Sequence, residues 1–356
     1  MINVTKPFLP NKKKYHKYLD SIWESNYLTN FGPLHEELSN KLCEYLGIKN
    51  ILLVNNGTIA LQLAYKLLNL KNHDEVITTP FSFIATTSTL IWENLNPKFI
   101  DINKNTLCID ENLVEKNITT STKAILPVHV FGNPCEVEKL EEIAKQHKLK
   151  LIFDAAHAFG VKINNKSVME YGDISTLSFH ATKIFGTIEG GALISKDENL
   201  IKEARAMINF GLENNDVKIL GINAKMNEFS AAMGLCILDD IDYILEERRK
   251  IWEYYFDKLK NYFDMQEWNK KANNNYHYFP ILFESENALL KMISKLNKND
   301  IFPRRYFYPS LNNLNFCKNI SKCPISDSIA SRILCIPFYV GLSRKEQDLV
   351  ISQLIS

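Results

Sequence analysis

Short apolar runs recur through the first half of this chain, and segments with helical spacing separate them. That alternation leaves few folds open. The runs cover residues 51–54, 75–79, 97–101, 124–129, 149–154 and 174–178. Ahead of the first, Leu34, Leu38, Leu42 and Leu46 repeat every four residues and stop at Gly47, as a helix with a glycine end does. Further helices are expected from Asn56-Gly57-Thr58 to about Leu70, from the turn at Pro80 toward Thr89, and over 137–146. Strands alternating with helices predict an α/β fold, a mainly parallel sheet with helices on both faces. Past Asp239 the pattern changes. A long charged helix over 241–262 is expected to expose Arg248, Arg249 and Lys250, and a strand at 277–283 and a helix at 288–297 follow. The reading is two domains, a large one at 1–244 and a smaller α+β one at 245–356.

Composition removes several classes of function. With 356 residues the chain can build two domains around a large core. Its 42 Lys and Arg against 41 Asp and Glu leave a net charge of +1, which predicts no affinity for nucleic acid or an anionic membrane. The seven cysteines are odd in number and include no C-x-x-C pair, which argues against a disulfide framework and against a zinc site. The segment Met1 to Pro7 lacks the apolar core of a signal peptide. The uncharged run from Val76 to Trp92 holds Pro80 and several hydroxyl residues, so it is a poor membrane span. The expected location is the cytoplasm.

Parallel α/β sheets gather ligands at the carboxyl ends of their strands. Asn56, Asp154 and Ser178 all fall where apolar runs end. Ser178 opens Ser178-Phe179-His180-Ala181-Thr182-Lys183, and Glu189-Gly190-Gly191 follows. Lys183 sits among small and apolar residues, where burial disfavours the ammonium and makes the amine a nucleophile. Asp154 closes Leu151-Ile152-Phe153-Asp154. A lysine to hold an aldehyde and an acid beside a pyridinium nitrogen are what pyridoxal 5'-phosphate (PLP) requires. A charge-assisted hydrogen bond of that kind contributes about 1.5–3 kcal/mol.

Asn56-Gly57-Thr58 offers that cofactor a phosphate seat. Glycine lets the backbone approach an oxyanion, and the following helix points free N–H groups at it. Ser178 can add a hydroxyl. The chain has no G-x-G-x-x-G, which disfavours a Rossmann dinucleotide site. Phe83, in Pro80-Phe81-Ser82-Phe83, is placed to stack on the pyridine face, whereas Phe81 is expected in the core. Taken singly, each feature has a plainer reading: a strand-end turn for Asp154, a simple turn for Asn-Gly-Thr, and core packing for Phe83.

Together these residues resemble the DegT/DnrJ/StrS sugar aminotransferases, a branch of the PLP enzymes of fold type I. The resemblance covers nearly the whole length. It includes Tyr27-Leu28-Thr29-Asn30-Phe31-Gly32-Pro33, Asn56-Gly57-Thr58, Pro127-Val128-His129 and Asp154-Ala155-Ala156-His157. It continues through Ser178-Phe179-His180 with Lys183 to Gly221-Ile222-Asn223 and Met226-Asn227-Glu228. The resemblance implies a mainly parallel seven-stranded sheet in the large domain. It makes Lys183 the lysine that holds the cofactor, Asp154 the partner of the pyridine nitrogen and His157 the contact to the ring hydroxyl. Phe83 becomes the stacking ring, and Gly57, Thr58 and Ser178 become phosphate ligands. Asn223 corresponds to a residue reaching the phosphate of a neighbouring subunit, which implies a homodimer with shared active sites.

The implied reaction moves an amino group from L-glutamate to a keto group on a nucleotide-linked sugar, through the pyridoxamine form of the cofactor. The Lys183 and Glu189 segments, with Arg304-Arg305-Tyr306-Phe307-Tyr308-Pro309, are most similar to enzymes making dTDP-4-amino-4,6-dideoxyglucose for O-antigen and other surface glycans. Asn30, Lys225, Arg304, Arg305, Tyr306 and Tyr308 are the candidate substrate contacts. Amination of a 3-keto sugar or of a uridine-linked one stays open. A PLP-dependent sugar dehydratase is a second class, but such relatives carry histidine in place of Lys183. A non-catalytic regulator is a third, and the retained Lys183, Asp154 and Asn223 speak against it. Two positions depart from the family pattern. Ile188 stands where many relatives have glycine, and Lys225 where many have arginine.

Overall fold

Apolar runs four or five residues long can be satisfied only if both faces of their strands are covered. The computed structural model, which describes residues 1–317 and 321–356, covers them in that way. Strands β1 (Ile51–Val54), β2 (Glu75–Thr78), β3 (Asn96–Phe99), β4 (Thr122–Leu126), β5 (Lys150–Asp154), β6 (Ile174–Ser178) and β7 (Gly191–Ile194) form one seven-stranded sheet. Their order across it is β1-β7-β6-β5-β4-β2-β3. Side chains alternate between two cores, as the two-residue period of a strand dictates. Ile51, Leu53, Leu151, Phe153 and Leu177 enter one core with Leu38, Leu42 and Leu235. Leu52, Val54, Ile152 and Ile174 enter the other with Leu61 and Ala64.

The six strands expected from the sequence are present, most with slightly shifted ends. The seventh, β7, has no counterpart among the apolar runs read from the sequence. It pairs antiparallel with both β1 and β6, whereas the pairs β2–β3, β2–β4, β4–β5 and β5–β6 are parallel. Gly191 is where β7 passes the β1 turn. A Cβ there would lie 2.5 Å from the Asn56 carbonyl carbon, so the close pairing needs a glycine.

The C-terminal part holds helices Ile241–Leu259, Glu286–Lys298 and Arg344–Ile355, and an antiparallel pair, Pro280–Leu282 with Ile333–Cys335. The first helix corrects one expectation, because Arg248 is buried. It lies on the stripe Ile244, Arg248, Ile251, Tyr255, Leu259, all buried at helical spacing. Its guanidinium donates to the carbonyls of Tyr276 (2.8 Å) and His277 and lies 4.6 Å from the Phe338 ring. Residues Ile2–Asn3 pair in parallel with Ile301–Phe302, tying the start of the described chain to the C-terminal part. No helix among the described residues is long and apolar enough to cross a membrane.

Candidate active site

Parallel strands aim their carboxyl ends the same way, so the last residues of β5 and β6, Asp154 and Ser178, reach one edge of the sheet. A cavity of about 950 Å³ opens there. Its floor includes Asp154, His157, Ser178 and Lys183, and its sides include Phe83 and Tyr306.

Asp154 is buried and receives two hydrogen bonds. Thr86 Oγ1 donates to Oδ2 at 2.7 Å, and the Ala156 amide donates to Oδ1 at 3.1 Å. Burial pushes its carboxyl above the usual range, while these two donors and the Lys183 amine oppose the rise. Lys183 is held the other way. Loss of water lowers its amine to about 8, with the Asp154 charge opposing the fall. Each group therefore feels the other's charge across the cavity floor. Thr86 was not foreseen: it is one threonine in a Thr-rich helix, Ile84–Trp92, and has no spacing signal of its own.

His157 is buried under aromatic rings. The Phe131 and Phe307 rings stack on it at 6.4 and 5.8 Å, and His277 lies 4.7 Å away. Its Nδ1 has no hydrogen-bond partner among the described residues. Burial holds the imidazole well below its ordinary value, and the nearby Lys183 adds to that. A neutral ring can offer one N–H to an acceptor in the cavity.

At the other end of the floor, helix Gly57–Leu67 starts directly against β6. Asn56 caps it by accepting from the Ile59 amide at 2.9 Å. A Cβ on Gly57 would come within 2.9 Å of Ser178 Cβ and 3.2 Å of the Leu177 carbonyl oxygen. Glycine thus keeps open a cradle formed by a helix N-terminus, Thr58 and the Ser178 hydroxyl, a natural anion seat. The cradle at one end, the buried carboxylate and the unpartnered His157 Nδ1 fit the phosphate, pyridine nitrogen and ring hydroxyl of PLP. Phe83 precedes its helix, lines the cavity and is 55% exposed, so its ring is available for stacking.

The candidate substrate contacts separate into two groups. Arg304 and Tyr306 line the cavity. Arg305 turns away: its guanidinium meets Glu286 at 2.5 Å, donates to the Ser331 carbonyl at 3.1 Å and covers the Tyr308 ring at 3.3 Å. Asn30 and Asn223 are exposed outside this cavity, and Asn223 bridges to Asn209. Lys225 is buried and donates to Asn209 Oδ1 at 2.8 Å. Ile188 sits in the loop between Lys183 and β7 with φ at +71°, a left-handed conformation that glycine adopts more readily.

The model of the DegT/DnrJ/EryC1/StrS aminotransferase family matches residues 11–355. A dTDP-4-amino-4,6-dideoxy-D-glucose transaminase of Shigella dysenteriae is 41% identical, over 99% of this chain and 97% of the relative. A transaminase of the same name from Escherichia coli is 39% identical, over 97% of this chain and 95% of the relative. Among solved structures, DesI in the presence of its TDP-sugar product superposes with a TM-score of 0.93 at 29% identity, covering 99% of this chain and 92% of that one. A lysine, an acid and an anion cradle at one sheet edge, joined to likeness along nearly the entire length, leave one assignment: the chain belongs to the DegT/DnrJ/EryC1/StrS aminotransferase family.

Proposed function

We propose that this protein is a PLP-dependent transaminase acting on a dTDP-linked 4-keto-6-deoxyglucose, with L-glutamate as amino donor and dTDP-4-amino-4,6-dideoxyglucose as product. The observation that carries the reading is the pairing of Lys183 and Asp154 on the floor of one cavity, where each shifts the other's ionisation. The named relatives at 41% and 39% identity support the sugar.

Bound PLP would supply an aldehyde that takes up the amino group and a ring that draws electrons from the reacting carbon. Lys183 would hold that aldehyde. Asp154, whose charge Thr86 and the Ala156 amide support against burial, would hold the ring nitrogen protonated. His157 would donate its single N–H to the ring hydroxyl. The cradle at Gly57, Thr58 and Ser178 would anchor the phosphate, and Phe83 would cover one ring face. The Lys183 amine, when free, would carry a proton from the amino-acid carbon and, in the second half, to the sugar carbon. An amine lowered to about 8 is partly unprotonated near neutrality, which suits it to both directions. Arg304 would meet the diphosphate. In a homodimer, Asn223 would reach the partner's phosphate.

The test is incubation with dTDP-4-keto-6-deoxyglucose, L-glutamate and PLP, with the product identified by NMR. A 4-amino sugar is expected from the native enzyme and none from Lys183→Ala, which also loses the absorbance of the lysine-bound cofactor. A 3-amino or deaminated product from the native enzyme, or turnover by Lys183→Ala, overturns the assignment.

A further inference from the structure

The cavity wall facing the cofactor floor includes a segment far away in sequence. Met1, Asn3, Val4 and Thr5 line it beside Phe302 and Arg304. This segment is held firmly by its backbone. Ile2–Asn3 pair with Ile301–Phe302, the Ile2 amide donates to the Asp300 carbonyl at 2.7 Å, and the Phe338 amide donates to the Val4 carbonyl at 2.9 Å. The strand covers Ile2–Asn3, the chain bends at Val4, and burial alternates along the segment. Ile2 enters the C-terminal core and Val4 the core of the large sheet. Asn3 and Thr5 are left on the cavity side, and neither side chain has a hydrogen-bond partner among the described residues. Two polar side chains on a fixed backbone, at the mouth of a site with a charged floor, are a recognition surface. An amide offers a donor and an acceptor and a hydroxyl offers both, which is the complement of hydroxyls on adjacent sugar carbons.

We propose that Asn3 and Thr5 bind the hexose ring of the amino acceptor and help select it. This rests on the transaminase reading above and deepens it. The amino donor, a small amino acid held against the cofactor floor, does not need this wall. The nucleotide diphosphate meets Arg304 next to it.

The experiment uses holoenzyme carrying Asn3→Ala, Thr5→Val or both. Each single variant is expected to weaken binding of dTDP-4-amino-4,6-dideoxyglucose, measured by calorimetry, about fivefold, and the pair about twentyfold, as loss of neutral hydrogen bonds predicts. Affinity for dTDP alone should stay at the native value. So should the rate of the half-reaction with L-glutamate, followed by the cofactor's absorbance. Unchanged sugar affinity in the double variant overturns the proposal. So does an equal loss for dTDP alone or for the glutamate half-reaction, which marks a structural effect. Failure of the transaminase reading has a different signature: native enzyme that neither responds to L-glutamate nor binds the amino sugar.

Discussion

Removing one hydroxyl from the cavity floor tests the electrostatics on which the chemistry depends. Thr86→Val keeps the shape of the side chain and deletes the O–H that reaches Asp154 Oδ2 at 2.7 Å. The remaining donor, the Ala156 amide, is longer at 3.1 Å. Ser82, whose hydroxyl lies 2.7 Å from that of Thr86, loses its partner as well. A hydrogen bond to a charged acceptor contributes about 1.5–3 kcal/mol, so the carboxylate loses roughly that much support. The acid already sits above the usual carboxylate range because it is buried, and the substitution drives it further up. Two consequences follow. PLP affinity, titrated into apoenzyme by absorbance, falls by roughly tenfold to a hundredfold. The working form is the carboxylate, so activity fails as pH falls through its pKa, and that acid limb moves to higher pH in the variant. Ser82→Ala should move both quantities the same way by less. A Thr86→Val enzyme with native PLP affinity and an unmoved acid limb would refute this account of how Asp154 is kept charged.

Other outcomes follow from the same structure. In apoenzyme, borohydride trapping of pyridoxal at Lys183 should accelerate as pH rises through about 8, because only the unprotonated amine attacks; a midpoint near the ordinary lysine value would contradict the lowered amine. Ile188→Gly relieves a left-handed backbone that costs a side-chain-bearing residue about 1–2 kcal/mol, against about 0.5–1 kcal/mol of added chain freedom. Thermal unfolding should therefore show equal or slightly raised stability, and a clear drop would show that the isoleucine side chain matters more than its backbone. Refolding Lys183→Ala together with Asn223→Ala should give activity above the mean of the two parents if each site draws on both subunits; strict averaging would remove the shared-site reading.

Much of the fold was legible because buried parallel strands are short and rich in apolar residues, as Ile51–Val54 and Leu151-Ile152-Phe153 are, with segments of helical spacing between them. Strand β7 escaped because it begins inside the glycine pair Gly190-Gly191 and reads as the end of a loop. Asp154 stood out as an acid closing an apolar strand, which topology brings to the sheet edge, and Lys183 as a lysine among small and apolar residues in the loop after β6. Thr86 did not, since a threonine that serves a carboxylate looks like any other until the strand holding that carboxylate is placed beside it. Arg248 was obscured by the charges next to it, although its spacing from Ile244, Ile251 and Tyr255 marked the buried stripe. Arg305 shows the opposite case. Next to Arg304 in sequence, it meets Glu286 and Tyr308 instead of the cavity, because neighbouring residues in extended backbone face opposite ways.

The pairing of Ile2–Asn3 with Ile301–Phe302 bears on how the molecule is made. Synthesis delivers the first strand long before its partner, and the Phe338 amide that anchors Val4 comes later still. Until residue 301 emerges, the apolar Ile2, which docks in the C-terminal core, has no place to go. The cleft is therefore closed late, and ribosome-bound intermediates that stop short of position 338 carry Lys183 without its complete enclosure.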